Sequence, residues 1–356
     1  MSFPSSPVAK LALSPGVCSA LQQYSPSTFK ALKNLVQRGS IALLGSTAVH
    51  SFLAHYIDIP KAFDVQVKAG LKSLEYYFDV KPHGFFLPHY VTGIENTLLK
   101  YGIDWAVTDA KTVLFSKPVP QKGIFSPVLC NDSNLLLFPS ITPKDASHAF
   151  CKQNSLFKRQ FAHLAKAARL IEAPASLVCV LDARSLACNT ADYTDVWKIL
   201  AENIQAAAAN IDCVYIHEIA NTTDTGSIDA ALTATTDRNE PERITPYFSY
   251  RKKNEQTALD KTDSQALRKE RDAVLCMIDL AHRYKYEKEN SNKRVLNILA
   301  KEAIFAMSGS DKWEKDSFFK MHDFLCSNML NPALLIEAEK KHEKDFPWLT
   351  YQIFAD

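Results

Sequence analysis

The chain has 356 residues, 47% of them hydrophobic, and 41 basic against 39 acidic side chains leave a net charge of +2. This is the balance of a soluble globular protein, with no electrostatic case for nucleic acid or a membrane surface as partner. No apolar run spans a bilayer, the N-terminus lacks the basic and long apolar regions of a secretory signal, and the ten glycines form neither G-x-G-x-x-G nor a P-loop.

Ala9 to Ser14 reads as a first strand, closed by Pro15-Gly16. Ser27 to Arg38 is helical, with Leu32, Leu35 and Val36 on one face and Gly39 at the stop position. Ile41 to Ser46 is a second strand, and His50 lies in the loop after it. Asp64 to Asp79 sets Val67, Leu71, Leu74 and Phe78 on one stripe, the pattern of an amphipathic helix packed on a sheet.

Gly84 to Pro88 is a short apolar run of the length of a buried strand. Thr92-Gly93-Ile94-Glu95 then has the form of a capping box, with Thr92 as N-cap and Glu95 at N3. The helix it opens runs through Leu98 and Leu99 to Gly102, and Trp105 to Thr108 is a strand ending on Asp109. Strand, helix and strand make a βαβ unit and hence a parallel sheet. His89 and Asp109 both follow strand C-termini, where open α/β sheets and (β/α) barrels keep their chemistry.

Leu135 to Phe138 is a further strand, a helical stretch covers about Ser147 to Leu170, and the strand Leu177 to Leu181 ends on Asp182. Val196, Leu200 and Ile204 define a helix over Tyr193 to Ala209, and Val214 to Ile216 is extended, ending at His217-Glu218. From Asn221 to about Thr262 the chain is polar and reads as a loop, and beyond it every segment is helical: Ala266 to Tyr284, Val295 to Met307, Phe318 to Asn328 and Pro332 to Lys344. The expected organisation is an α/β domain over 1–221, a linker over 222–262 and a helical bundle over 263–356. Eight cysteines without C-x-x-C or a Cys/His cluster read as free thiols in a reducing compartment, so the expected location is cytoplasmic.

At these residues the chain resembles glycoside hydrolase family 57, in particular its α-1,4-glucan branching enzymes. Ala48-Val49-His50-Ser51-Phe52-Leu53 is similar to the family's Thr-His-Gly-Phe-Leu-Pro stretch. A Gln-containing helix and an aromatic-rich turn then lead, in the family, to Gly-Ile-Trp-Leu-Pro-Glu-Cys, whose glutamate is the nucleophile; here the run is Gly84-Phe85-Phe86-Leu87-Pro88-His89-Tyr90. Thr92-Gly93-Ile94-Glu95 resembles the family's Pro-Gly-Leu-Glu, Ala106-Val107-Thr108-Asp109 its Phe-Val-Val-Asp, and Gly123 to Val128 its Gly-x-Tyr-x-Pro-Val. Leu181-Asp182-Ala183 is similar to the start of the stretch holding the acid/base aspartate, and Ser308 to Trp313 and Phe319 to Leu325 resemble motifs of the helical domain.

The resemblance implies an incomplete (β/α)7 TIM-like barrel followed by a C-terminal α-helical domain. It lacks the family's first strand with His-x-His, so a protein partner or a second copy is expected to cover the open barrel edge. It implies an α-glucan polysaccharide as substrate, retaining transfer through a covalent intermediate, and no metal or organic cofactor. Asp182 takes the acid/base position and His89 the nucleophile position, with His50, Phe86, Tyr90, Asp109 and Trp313 as substrate contacts.

Retaining cleavage needs two carboxyl groups about 5–5.5 Å apart, and an imidazole does not form the glycosyl ester. Impaired or absent catalysis is therefore expected. The second expectation is a non-catalytic glucan-binding or scaffolding protein that partners an active paralogue or a split N-terminal half. A third is a divergent metal-dependent hydrolase or deacetylase using His50, His89, Asp109 and Asp182. Plain structural roles stand beside these: a loop or capping aspartate for Asp182, a polar group bonded at the sheet edge for His89, a cap for Glu95, and core packing for the four tryptophans.

Overall fold

A computed structural model describes residues 9–49, 60–90, 92–141, 166–167, 178–180, 242–246, 261–307, 332–351 and 353–354. Contacts divide it into two units, one built from Ala9–Ile103 with Ser249–Asp356 and the other holding Asp104–Phe248.

The first unit begins with strand β1, Ala9–Ala12, parallel to β2, Ile41–Leu44, in the register Ala9 to Ile41 through Ala12 to Leu44. Between them lie helices α1, Pro15–Tyr24, and α2, Pro26–Gln37. Helix α1 starts where the sequence suggested only a chain stop. Pro15 occupies the first turn, where its missing N–H costs nothing, and Ser14 caps it by accepting from Val17 N–H at 3.4 Å. Helix α2 ends as expected at Gly39, whose φ of 72° lets Ser40 N–H reach Leu35 C=O at 2.9 Å and Gly39 N–H reach Val36 C=O at 3.0 Å.

Helix α3, Pro60–Phe78, buries Val67, Leu74 and Phe78 as its stripe predicts, together with Phe63, Val65 and Tyr77. Phe29 of α2 meets Tyr77 edge-on at 5.9 Å and Phe78 at 5.4 Å. Strand β3, Gly84–Phe86, joins β2 through a parallel bridge between Gly45 and Phe85.

Helix α4 spans Glu95–Lys100, with Ile94 rather than Thr92 at its N-cap. Gly93, at φ 99°, turns the chain there, and its N–H donates to both Glu95 carboxylate oxygens at 2.9 Å. Glu95 thus restrains the start of the helix from its first position, two positions earlier than a capping box would place it. At the other end Gly102 N–H and Ile103 N–H return to Leu99 and Leu98 carbonyls at 3.0 and 3.1 Å. Asp64 of α3 holds this corner, accepting from Lys100 Nζ at 2.7 Å and Tyr101 Oη at 3.0 Å. Burial and the Asp64 charge push the Tyr101 phenol above its ordinary pKa.

Helices α6, Lys261–Tyr286, and α7, Asn290–Ala306, belong to the same unit and share a core of Leu280, Val295, Leu296, Ile298 and Leu299. Helix α8, Pro332–Asp345, carries Glu339, whose carboxylate accepts both arms of the Arg294 guanidinium, one of them from Nε at 2.7 Å.

In the second unit β4, Trp105–Asp109, is followed directly by the short helix α5, Ala110–Leu114. The sheet order is β4, β6 (Leu136–Ile141), β5 (Val128–Cys130), β8 (Arg243–Ile244), with β7 (Val178–Cys179) also paired to β6. Pairing is parallel for β4 with β6, β6 with β7, and β5 with β8, as βαβ patterning predicts, but β5 runs antiparallel to β6. Only five residues, 131–135, join β5 to β6, too few for a crossover and enough for a hairpin. The polar stretch read as a loop contains β8, and Glu242 there accepts from Gln121 N–H at 2.9 Å.

One contact tolerates no side chain. A Cβ on Gly70 of α3 would stand 1.9 Å from the Ser46 carbonyl oxygen and 2.9 Å from the Thr47 carbonyl carbon, both backbone atoms. Gly70→Ala is expected to lower stability by about 3 kcal/mol, read as a drop in the urea midpoint.

Lys301 of α7 is only 7% exposed, and burial pushes its amine below the ordinary lysine value against the opposing pull of Glu343 and Glu339. The unfolded chain therefore binds this proton more tightly than the folded one. Stability from this position increases as pH rises through the folded-state pKa toward about 10.4, and is lost on the way back down. Lys301→Met should be the more stable protein at pH 7, with the difference narrowing by pH 10 in paired urea titrations.

Candidate functional site

The C-terminal ends of β2 and β3 lie side by side. Gly45 N–H donates to Gly84 C=O and Phe86 N–H to Gly45 C=O, both at 2.8 Å. A side chain at Gly45 would press within 2.8 Å of Leu71 and of the Phe85 ring, so only glycine lets the two strands and α3 meet here. The segments 46–49 and 87–90 therefore leave the sheet from one edge, the end where α/β folds gather their chemistry.

After β3 the chain turns sharply through Pro88–Tyr90, where Tyr90 N–H donates to Leu87 C=O at 2.8 Å. Tyr90 sits at φ 57°, a left-handed conformation that a bulky residue seldom takes. That turn brings its half-buried ring edge-on to Phe86, with centroids 5.6 Å apart and planes at 73°.

After β2 the chain is held by a buried amide. Thr47, 1% exposed, donates its hydroxyl to Val49 C=O at 2.6 Å. Gln66 of α3, fully buried, accepts Val49 N–H on Oε1 at 3.2 Å, and its backbone carbonyl accepts Ala48 N–H at 3.0 Å. Its Nε2 donates to Ile304 C=O at 2.9 Å and contacts Met307 Sδ at 3.3 Å. Ile304 lies in the last turn of α7, where carbonyls have no partner within the helix. Sequence reading did not single out Gln66. Its signal was one amide between Val65 and Val67, one turn before Gly70 in an amphipathic helix, a position that, once buried, obliges it to find partners.

Of the residues expected in the site, Phe86 and Tyr90 are brought together. His89 has its backbone in the turn between β3 and α4. Asp109 belongs to the other unit and ends β4, where its Oδ1 accepts Lys111 N–H at 2.7 Å as the N-cap of α5. His50, Asp182 and Trp313 lie outside the described residues. Trp105 and Trp348 are core side chains, 2% and 3% exposed. Among the described residues no three His, Cys, Asp or Glu side chains are grouped as a metal would need, and no helix is long and apolar enough to cross a membrane. A cavity of about 220 Å³ opens between α1 and the side chains of Phe305, Phe346 and Trp348, and none of the expected site residues lines it.

Comparison with known proteins agrees with this architecture. The model of Glycosyl hydrolase family 57 matches residues 9–143. No curated protein sequence is similar enough to match the chain. Among solved structures, the alpha-amylase AmyC from Thermotoga maritima superposes with a TM-score of 0.67 at 15% identity, covering 96% of this chain and 78% of that one. A GH57 branching enzyme from Thermococcus kodakaraensis, solved with glucose, gives 0.62 at 14% identity over 96% of this chain and 77% of its own. A GH57-type branching enzyme from Pyrococcus horikoshii gives 0.53 at 16% identity, covering 93% and 68%. The fold is thus the family-57 one, a partial α/β barrel of TIM type with a C-terminal helical domain.

Asp109 has a capping role on display, and its charge is separable from it. Asn caps as well as Asp, whereas Ala removes the acceptor. Asp109→Ala should cost about 1 kcal/mol in urea denaturation and Asp109→Asn almost nothing. Equal losses in both variants would refute the capping account.

Proposed function

We propose, from the match of residues 9–143 to the model of Glycosyl hydrolase family 57, that this chain is a homologue of the family's α-glucan enzymes that binds α-1,4-glucan with catalysis impaired. The sequence match, which covers β2, β3 and β4 and the segments that follow them, carries the reading, supported by the fold shared with an alpha-amylase and branching enzymes. The impairment rests on His89 standing where the family's motif has its attacking glutamate. An imidazole there leaves Asp182 as a proton donor with no carboxylate partner, and retaining transfer needs both.

On this reading Phe86 and Tyr90 offer ring surface to the apolar face of a glucosyl unit, and His50, Asp109 and Trp313 supply further contacts. The edge-to-face pair suits that task, since packing of one ring against the other fixes the exposed part in place. A cytoplasmic location belongs to the same proposal, as does a protein partner at the barrel edge, either a second copy or another polypeptide.

The test is native electrophoresis through gels containing amylopectin, paired with an iodine and reducing-end assay on amylose. Retardation in the glucan gel with little or no turnover is expected. Light scattering on the same sample is expected to give more than one chain's mass, and the mass of one chain removes the partner. Migration unaffected by any α-glucan would overturn the glucan reading itself. Full-rate turnover abolished in Asp182→Asn would instead make the chain an active enzyme and remove the impairment.

A further inference from the structure

We propose that the cavity between α1 and the aromatic cluster of Phe305, Phe346 and Trp348 is a sugar site additional to the Phe86–Tyr90 pair, holding one glucosyl unit of an α-glucan. The identity of the sugar rests on the glucan reading above, but the site is built from residues that reading does not use. At about 220 Å³ the cavity is smaller than the roughly 300–1,000 Å³ that drug-sized ligands occupy, so it takes a single ring and not a stretch of polymer. One face of α1 forms its first wall, where Gly16, Ala20 and Tyr24 follow one another at helical spacing with Ser19 and Gln23 beside them. The second wall is aromatic. Phe305 and Phe346 stack with centroids 4.1 Å apart and planes at 17°, and Trp348 meets Phe305 edge-on at 6.1 Å and 73°. Trp348 is 3% exposed, whereas Phe305 and Phe346 remain half-buried and leave ring surface in the cavity.

The lining selects the ligand. A pyranose ring carries an apolar face of C–H bonds and a rim of hydroxyl groups. Aromatic surface covers the first, and the Ser19 hydroxyl and Gln23 amide supply donors and acceptors for the second. None of the residues lining the cavity is charged or a histidine, so an ionic ligand would give up its hydration without a counter-charge. Tyr24, 79% exposed, adds a phenol ring and a hydroxyl at the mouth. Packing does not dictate the open space. A Cβ on Gly16 would meet nothing within 4 Å, and Ala20 is exposed, so either position could carry a side chain that closes the cavity. Glycine is also a poorer helix former than alanine. The smallest residues of α1 thus fall on the face a ligand must reach.

The test uses the whole chain with fluorotryptophan in place of tryptophan, maltotriose as ligand and fluorine NMR as the readout. Trp348→Phe identifies the Trp348 resonance by its loss. Maltotriose is expected to move that resonance in a saturable titration, and sorbitol, which offers hydroxyls without a ring, should leave it in place. Ala20→Phe fills the cavity from an exposed helix position and should weaken the titration at Trp348 on the order of tenfold, with the thermal midpoint close to that of the unaltered chain. If Ala20→Phe disturbs the fold, Tyr24→Ala at the exposed mouth decides instead, with a several-fold weakening. A Trp348 resonance that maltotriose does not move, or moves equally in both variants, overturns the sugar site. Retardation of that same chain in the amylopectin gel would then leave the glucan reading standing alone. No movement and no retardation together sink both.

Discussion

The first unit depends on how closely α3 approaches the chain leaving β2. Gly70 lets helix backbone touch strand backbone, and one turn earlier Gln66 turns that touch into hydrogen bonds. Glycine is required at one because a Cβ would overlap an oxygen, and the glutamine amide supplies at the other both an acceptor and a donor. The hydrophobic stripe of α3 presses the helix onto its neighbours, but burial alone is non-directional and would allow it to slide. The glycine and the amide set the register.

Much of the secondary structure is written in local pattern. The stripe of α3, the glycine stops of α2 and α4, and the apolar runs of β2, β3, β4 and β6 all follow from spacing and turn chemistry. What escaped were features whose cause is not local. Helix α1 looked like a chain stop because Pro15-Gly16 breaks a strand, although proline after a serine cap also opens a helix. Strand β8 is two residues in a polar stretch, and only the partner offered by Leu129 and Cys130 makes it a strand. The α4 capping box matched its formula, yet the positive φ of Gly93 moved the helix start past Thr92.

The site was legible in a different degree. The sequence marks the ends of β2, β3 and β4 as places for chemistry, and strands do end there; the edge-to-face contact of Phe86 with Tyr90 is a finding of the structure. Gln66 was not legible, since its side-chain partners lie 17, 238 and 241 residues away. No window of sequence holds both ends of such a bond. Asp109 shows the reverse case: a strand-end carboxylate that reads as functional has a sufficient local task as a cap.

The extent of the family match carries a physical meaning of its own. It stops at residue 143, whereas likeness of fold extends over 96% of the chain. Packing between helices accepts apolar exchanges as long as volume and pattern are kept, so the core of α6 and α7 is free to change its letters while keeping its shape. The strand ends have less freedom, because a glycine against a carbonyl and a ring in a left-handed turn each exclude most replacements. His89 lies inside the matched stretch, in the turn between Phe86 and Tyr90, where the left-handed φ of Tyr90 narrows what backbone the turn can adopt.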